Sequence, residues 1–207
     1  MSLFITFEGG EGCGKSVQTK TLYDRLCQSN IPAVLTYEPG GTPLGDEISR
    51  WLKWHEESGI TPLTELFLFN ASRSQLVDNI IIPSLEKGKV VICDRFADST
   101  TVYQGYGRGL DIAMTRSVNC TATHGLIPNL TILLDLPPDE GFTRKKSDKY
   151  DRFEREEMTF HQKIRQGYLE LASAEPQRWF VVDAAQDKAK IADIIWQRVS
   201  KLLPRRT

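Results

Sequence analysis

The sequence predicts an α/β protein, in which a doubly wound sheet of parallel strands has helices on both faces. Short apolar runs alternate along the chain with longer amphipathic segments, which is the order of strands and helices in such a fold. The apolar runs are hydrophobic at nearly every position, as in strands that are buried on both faces. The 207 residues fit one compact domain.

The individual elements follow from this alternation in chain order. Strands are predicted over residues 3–7, 32–37, 90–93, 130–136 and 179–183. Helices are predicted over residues 15–28, 42–55, 63–86, 111–123, 138–146, 151–174 and 188–203, with a break in the third near Pro83. Residues 144–155 (RKKSDKYDRFER) are the most charged stretch and include few apolar residues. We therefore expect one domain over residues 1–207 with a short mobile lid at about 144–155.

Charge and composition narrow the classes of partner. The chain has 26 Lys and Arg against 27 Asp and Glu, so its net charge of -1 offers no overall attraction to nucleic acid or to an anionic membrane. No apolar run approaches the roughly 20 residues that cross a bilayer. The N-terminal MSLFITFEGG lacks the basic start of a signal peptide, and the four cysteines form no CxxC pair. These features favour a soluble cytoplasmic protein with reduced thiols.

A phosphate-binding loop is the strongest motif. Residues 9–16 (GGEGCGKS) fit G-x-x-x-x-G-K-[ST] and lie between the first predicted strand and the first predicted helix, the context that the motif requires. Glycines let successive backbone N–H groups face phosphate oxygens, and the helix N-terminus favours an anion. Lys15 would reach the β- and γ-phosphates, and the Ser16 hydroxyl would bind Mg²⁺. The predicted ATP-binding residues here are Gly10, Glu11, Gly12, Cys13, Gly14, Lys15, Ser16 and Val17.

Asp94 and Arg95 follow the third predicted strand. In a fold of this kind that strand lies beside the first, which would place Asp94 near Mg²⁺ and Arg95 near a phosphate. A structural ion pair at the strand end is the alternative. The phosphate loop by itself gives nucleotide binding and no particular reaction. The chain contains no NKxD base-recognition motif, which argues against a GTPase, and no second nucleotide-binding domain, which argues against a helicase.

The motifs together resemble those of the thymidylate kinase (dTMP kinase) family over nearly the whole chain. They are residues 7–9 (FEG), residues 38–42 (EPGGT), Phe69 with Arg73, residues 94–96 (DRF) with Ser99 and residues 103–105 (YQG), Pro128 with residues 130–131 (LT), and residues 151–154 (DRFE). The resemblance implies a P-loop kinase fold with a five-stranded sheet. It also implies a homodimeric enzyme that uses ATP and Mg²⁺ to phosphorylate dTMP to dTDP, on the way to dTTP.

The resemblance also implies an acceptor site. Glu8 matches an acidic residue near the sugar and phosphate, and Pro39 lies in a loop that approaches the acceptor phosphate. Arg95 is similar to the ligand of that phosphate, with Ser99 as a further contact. The remaining implied residues are Phe69 stacking on the base, Arg73 at a thymine carbonyl, Tyr103 against the sugar 2′ carbon and Gln104 on the base side. By pattern alone, Phe69 is more typical of a core and Arg73 of a solvated helix face.

The same resemblance implies how catalytic cations are supplied. One arrangement in the family has an arginine in the phosphate loop, where this chain has Gly12, and the other takes its cations from the lid. The lid cations here are Arg144, Lys145, Lys146, Lys149, Arg152 and Arg155. We predict Lys15, Arg95 and Arg152 as the catalytic residues and place Arg144 against adenine. A solvated basic face is the alternative for any single lid residue.

Some positions depart from the family pattern or leave alternatives open. Tyr37, Leu76 and Asn129 stand where the family usually has arginine, histidine and aspartate. Trp51 and Trp54, three residues apart on one predicted helix, are expected in the core, with a dimer surface as the alternative. A kinase for another nucleotide and a nucleotide-dependent switch remain rival functions. A switch needs no second phosphate pocket, so the acceptor residues argue against it.

Overall fold

The computed structural model describes residues 2–55, 59–145 and 150–203, which form a parallel sheet with helices on both faces. The strands are β1 (Leu3–Glu8), β2 (Ala33–Tyr37), β3 (Val90–Asp94), β4 (Leu130–Asp135) and β5 (Trp179–Asp183). They lie in the order β2-β3-β1-β4-β5, and every pair is parallel. Phe7 of β1 is in register with Asp94 of β3. The predicted fold class is therefore confirmed, and Asp94 lies beside the end of the first strand.

Helices of the described residues connect these strands, and the last helix follows β5. They are α1 (Lys15–Gln28), α2 (Pro43–Trp54), α3 (Pro62–Leu76), α4 (Ile82–Glu86), α5 (Ala97–Thr100), α6 (Ile112–Ala122), α7 (Pro138–Arg144), α8 (Met158–Ala174) and α9 (Lys188–Ser200), with π-helical turns at Val77–Ile81 and Thr101–Gly107. None of these helices is both long enough and apolar enough to cross a membrane.

Alternate residues of β1 point to opposite faces of the sheet and enter different cores. Leu3, Ile5 and Phe7 pack with apolar residues of α1 and α9 on one face. Phe4 packs on the other face, with a cluster that includes Leu76 at the end of α3. Burial on both faces removes the alternation that a half-exposed strand would show, which is why β1 is hydrophobic at nearly every position.

Two predicted helices differ in the structure. The third is not broken at Pro83, because the π-helical turn Val77–Ile81 precedes the proline and leads directly into α4. The predicted helix over residues 151–174 begins only at Met158. Asp151 Oδ1 instead accepts the backbone N–H groups of Phe153 and Glu154, both at 3.0 Å, and Glu154 Oε2 accepts the Asp151 N–H. This reciprocal capping closes a separate turn ahead of α8.

Candidate active site

Two adjoining clefts open where the strands end. The aromatic cleft has about 670 Å³ of empty volume, and its walls include Phe69, Phe96, Tyr103 and Phe153. The phosphate-loop cleft has about 1970 Å³ and is lined by residues 11–18 together with parts of α7 and α9. Both clefts share four lining residues, which are Glu11, Glu38, Lys53 and Arg95. We call this shared wall the junction.

Backbone groups of the phosphate loop hold its lysine. Lys15 begins α1 and is almost fully buried, and its Nζ donates hydrogen bonds to the carbonyl oxygens of Gly9 (3.0 Å) and Gly10 (2.8 Å). The ammonium therefore lies within the loop that residues 9–16 form. Of the predicted ATP-binding residues of this segment, Gly10 alone does not line the phosphate-loop cleft. Cys13 is a buried free thiol.

Gly12 lies against helix α7 with no room for a side chain. Its φ of +69° is in the left-handed region, and a Cβ built there would be 2.0 Å from the carbonyl oxygen of Gly141. An arginine at this position would overlap the backbone of α7. The loop therefore has no room for an arginine side chain at this position, and Lys15 is its cationic residue.

Ser16 and Asp94 meet across the ends of α1 and β3. The Ser16 hydroxyl donates a 2.7 Å hydrogen bond to Asp94 Oδ2. A hydroxyl and a carboxylate are oxygen ligands of the kind that Mg²⁺ accepts, with phosphate oxygens and water completing its shell. No group of three or more His, Cys, Asp or Glu side chains with metal-binding spacing occurs among the described residues. The pair fits a metal ion that is bound together with its nucleotide.

Arg95 and Glu11 form an ion pair at the junction. Arg95 adopts a positive φ of 70° directly after β3, and its Nη2 lies 2.7 Å from Glu11 Oε1, which also accepts a 2.9 Å hydrogen bond from the Tyr103 hydroxyl. Burial alone would raise the pKa of Glu11, but the charges of Arg95 and Lys15 hold it at about 2. Glu11 is therefore a carboxylate at neutral pH, in a cleft where a phosphate is expected.

Glu8, at the end of β1, lies in the opposite electrostatic environment. Its carboxyl is fully buried and accepts hydrogen bonds from the Phe96 N–H (2.9 Å), the Ser99 hydroxyl (2.5 Å) and the Tyr168 hydroxyl (3.0 Å). Burial, followed by the negative charge of Asp98, raises the pKa of Glu8 to about 7. Glu8 itself lines neither cleft, but Ser99, one of its partners, lines the aromatic cleft.

Arg73 is buried, although its sequence pattern is typical of a solvated helix face. Its Nε lies 2.7 Å from Glu38 Oε2, and both side chains are almost fully inaccessible to solvent. Within α3, its Nη1 donates to Asn70 Oδ1. Its other donors reach Phe96 O and Thr100 Oγ1 at the two ends of α5, and Asn119 Oδ1 of α6. Arg73 thus ties α3, the loop after β2, α5 and α6 together and also lines the aromatic cleft.

The far end of the aromatic cleft combines rings with one amide. The Phe69 ring lies 5.7 Å from the Phe153 ring, centroid to centroid, and Phe69 packs at the edge of a buried cluster. Gln104, in the π-helical turn, donates a 2.6 Å hydrogen bond to Glu65 Oε1 of α3. Pro39, which follows a cis peptide bond, completes this wall. Every predicted acceptor residue except Glu8 therefore lines one cleft.

Comparison with known proteins identifies the family. The model of the family described as thymidylate kinase matches residues 7–195. The chain belongs to the thymidylate kinase family. A thymidylate kinase of Dehalococcoides mccartyi is 54% identical over 98% of both chains, and one of Citrifermentans bemidjiense is 44% identical over 98% of this chain and 95% of that one. The crystal structure of thymidylate kinase from Ehrlichia chaffeensis superposes with a TM-score of 0.78 at 32% identity, covering 96% and 98% of the two chains.

The basic lid residues differ in position: two of them line the phosphate-loop cleft and Arg152 does not. Arg144 lines the phosphate-loop cleft and donates to Ala184 O at 2.7 Å, while Lys145 lines the same cleft and pairs with Glu154. Arg152 lines neither cleft. Its Nε donates to Leu52 O at 3.0 Å and its Nη2 lies 2.6 Å from Glu65 Oε2. Lys146 and Lys149 are outside the described residues.

The departures from the usual thymidylate kinase pattern have local explanations. Tyr37 is half exposed in the wall of the phosphate-loop cleft and donates a 3.0 Å hydrogen bond to Asp46 Oδ1. Leu76 is fully buried in the core. Asn129 Oδ1 accepts the Phe4 N–H at 2.8 Å, so it fixes the start of β4 beside β1.

Sequence reasoning missed several residues that complete the site. Glu65 is fully buried and connects Gln104, Arg108 and Arg152, while Tyr168 of α8 contacts both Glu8 and Arg95. Lys53 belongs to the junction. Each comes from a helix that is distant in sequence from the motif it serves. A buried charged residue in an otherwise amphipathic helix gives no sequence signal that separates it from an exposed one.

Proposed function

We propose that the aromatic cleft binds dTMP and the phosphate-loop cleft binds ATP, with their phosphates meeting at the junction. As a thymidylate kinase, the chain phosphorylates dTMP to dTDP. The observation that supports this assignment is that the two clefts share Glu11, Glu38, Lys53 and Arg95. A phosphoryl group can pass directly between two nucleotides only if their phosphates lie in contact.

The aromatic cleft suits a deoxyribonucleotide with a flat pyrimidine. Phe69 stacks on the base, and Arg73 and Gln104 lie beside it as hydrogen-bonding partners. Tyr103 and Ser99 lie nearer the junction, where the sugar and phosphate belong. Tyr103 crowds the sugar 2′ carbon, which excludes a ribose hydroxyl. Pro39 also lines this cleft.

At the junction, the protein catalyses the transfer by positioning the phosphates and neutralising their negative charge. The attacking atom is already a phosphate oxygen, so the transfer requires no general base. Lys15 leaves its loop carbonyls for the β- and γ-phosphates of ATP, and Arg95 exchanges part of its contact with Glu11 for the acceptor phosphate. Both cations neutralise charge on the transferring oxygens. Glu11, which Arg95 and Lys15 keep ionised, holds Arg95 in place until a phosphate enters.

Mg²⁺ is the metal that these residues would hold. Ser16 and Asp94 supply one hydroxyl and one carboxylate at the end of the phosphate loop. When bound, the ion supplies positive charge at the β- and γ-phosphate oxygens. The Ser16–Asp94 hydrogen bond keeps both ligands oriented toward this position before nucleotide arrives.

Arg152 remains our candidate for the catalytic cation of the lid, and Arg144 for the residue against adenine. Arg144 borders the phosphate-loop cleft beside α9, as an adenine contact requires. Arg152 is paired with Glu65 away from the clefts, so it acts on the phosphates only after exchanging that partner. Arg152→Met tests the idea, since it should lower kcat and leave ATP affinity unaltered, and an unchanged kcat would remove Arg152 from catalysis.

We also propose a cytoplasmic homodimer that pairs through α2 and α3. Trp51, Trp54, Leu63 and Phe67 are each about half exposed, so the two tryptophans are not in the core as expected. Such large apolar side chains on two packed helices suit a buried interface between copies of the chain. Sedimentation equilibrium of the wild type and of Phe67→Glu measures this, and a monomeric wild type would contradict it. All four cysteines are free thiols, as suits a reducing compartment.

The activity is tested by ADP release from ATP and Mg²⁺ with dTMP, dUMP, dCMP, the ribonucleotide TMP or no acceptor. Strong stimulation by dTMP alone is expected. Phe69→Ala should raise KM for dTMP by about 10-fold through lost stacking, with KM for ATP unchanged. Gln75→Ala, on the same helix but lining neither cleft, is the matched control. Stimulation by another nucleotide would reassign the acceptor, and no stimulation would favour a nucleotide-dependent switch.

A further inference from the structure

Lys53 lies where a phosphate-binding cation is needed and no family motif places one. It occupies the last turn of α2, is half-buried, and lines both clefts. The simpler explanation is that a lysine in a last turn stabilises its helix through the helix dipole. That explanation does not account for its position at the junction.

The other cations around the junction already have protein partners. Arg95 is paired with Glu11, Arg73 with Glu38, and Lys145 with Glu154. Lys15 is held by loop carbonyls. In the part of the chain that the structure describes, the Lys53 ammonium makes no hydrogen bond and no ion pair, although Asp151 is within electrostatic reach. Lys53 is therefore a cation that a ligand can engage without breaking an ion pair.

The aromatic cleft has an excess of acidic groups for an anionic ligand. Its lining includes four carboxylates, from Glu11, Glu38, Asp151 and Glu154. The phosphate of a nucleoside monophosphate carries close to two negative charges at neutral pH. Arg73 and Arg95 are each paired with a carboxylate, and Arg95 must give up part of that contact to bind a phosphate. A further positive charge would make entry of the phosphate more favourable.

The backbone around Lys53 is held by the turn at residues 151–154. Lys53 O accepts the Arg152 N–H at 3.1 Å, and the neighbouring Leu52 O accepts Arg152 Nε at 3.0 Å. Leu52 itself is fully buried. The end of α2 and residues 151–154 therefore form one unit. The backbone position of Lys53, whose side chain lines the junction, is therefore defined by these contacts.

We propose that Lys53 binds the acceptor phosphate at the junction, as a cation supplied by α2 in addition to those of the phosphate loop and lid. The proposal rests on the assignment of the aromatic cleft to dTMP. It predicts that the contribution of Lys53 depends on the phosphate of the acceptor and not on its base or sugar.

Calorimetric titration with dTMP and with thymidine, which lacks the phosphate, tests this in wild type and Lys53→Met. The variant should bind dTMP about 10- to 100-fold more weakly, as for a lost hydrogen bond to a charged group, and thymidine equally well. Lys53→Arg, which keeps the charge, should recover part of the dTMP affinity. Arg50→Met removes an exposed cation one turn earlier on α2 and should change neither affinity.

An unchanged ratio of dTMP to thymidine affinity in Lys53→Met would overturn the proposal, whether both affinities fall together or neither does. A common fall would assign Lys53 to the stability of α2. A wild type that binds neither ligand would be a different failure, because it would remove the acceptor assignment of the aromatic cleft and the role of Lys53 with it.

Discussion

The two clefts are built in different ways, although they share a wall. The phosphate-loop cleft takes most of one side from residues 11–18, and its lysine is held by carbonyls of its own loop. The aromatic cleft collects side chains from α2, α3, α5, the π-helical turn and residues 151–154. Ion pairs hold them together, and the pair of Arg73 with Glu38 is fully buried. The phosphate loop is a local structure of the backbone, whereas the aromatic cleft exists only after distant elements pack.

The two clefts should therefore respond differently to substitution. A side-chain change in the phosphate loop should remove function and leave the fold intact, because backbone groups define the loop. A change among the buried charges of the aromatic cleft should affect stability as strongly as binding, because the same side chains carry both. The predictions below test this separation.

The largest effect is expected for Arg73→Met. It leaves the carboxylate of Glu38 buried without its partner, which should lower the free energy of unfolding by about 3 to 5 kcal/mol. Urea unfolding of the variant against wild type measures this. The double variant Arg73→Met with Glu38→Leu should recover a large part of the loss, because no uncompensated charge remains. A double variant no more stable than Arg73→Met would contradict the ion-pair explanation.

Lys15→Met, in the phosphate loop, should lower activity strongly and change stability little. We expect kcat to fall by about 10² to 10³-fold, the range for removal of one preorganised charge. The free energy of unfolding should change by less than about 1 kcal/mol, and dTMP binding should persist. Steady-state ADP release, urea unfolding and dTMP titration measure these in turn. Loss of dTMP binding together with kcat would show that the two clefts are not separable.

Gly12→Ala tests the backbone of the phosphate loop. A Cβ at a φ of +69° and 2.0 Å from the Gly141 carbonyl oxygen should cost about 2 to 4 kcal/mol in strain and overlap. Either stability or ATP affinity then falls, depending on whether α7 or the loop moves. Gly10→Ala is the matched control, since a Cβ there meets nothing within 4 Å. Equal thermal shifts together with equal ATP affinities in both variants would refute the close approach of loop and α7.

The smallest effect concerns the pH dependence of stability. Because the pKa of Glu8 is raised from 4.5 to about 7, the folded state binds more protons than the unfolded state between these values. The contribution of Glu8 to stability is thus complete below pH 4.5 and is lost as the pH rises through 7. Wild type should lose on the order of 2 kcal/mol relative to Glu8→Gln between pH 5 and pH 8.

Urea unfolding of wild type and Glu8→Gln at several pH values measures that difference. Parallel pH profiles of the two proteins would mean that folding does not raise the pKa of Glu8. Glu11 should behave in the opposite sense, because its pKa is lowered to about 2 and its stabilisation is lost only as the pH falls from 4.5 toward 2. The stability that Glu8 contributes therefore falls as the pH rises, whereas the stability that Glu11 contributes falls as the pH is lowered.

The parallel sheet and the phosphate loop could be predicted from the sequence alone. Both depend on neighbours in the chain: runs of apolar residues mark doubly buried strands, and the glycines, Lys15 and Ser16 lie within one turn and one helix start. The family motifs also anticipated which side chains line the aromatic cleft, with Phe69, Tyr103 and Gln104 all found there. Their roles toward a substrate remain predictions.

The partners of those side chains became clear only from the tertiary structure. Arg73 is buried because Glu38, Asn119 and Thr100 converge on it from other elements, and no local pattern in α3 reveals partners so distant in sequence. Arg152 faces Glu65, Lys53 enters the junction, and α8 begins at Met158, all because residues 151–154 form a self-capped turn packed on α2. Such features depend on which surfaces meet, and long-range packing sets that.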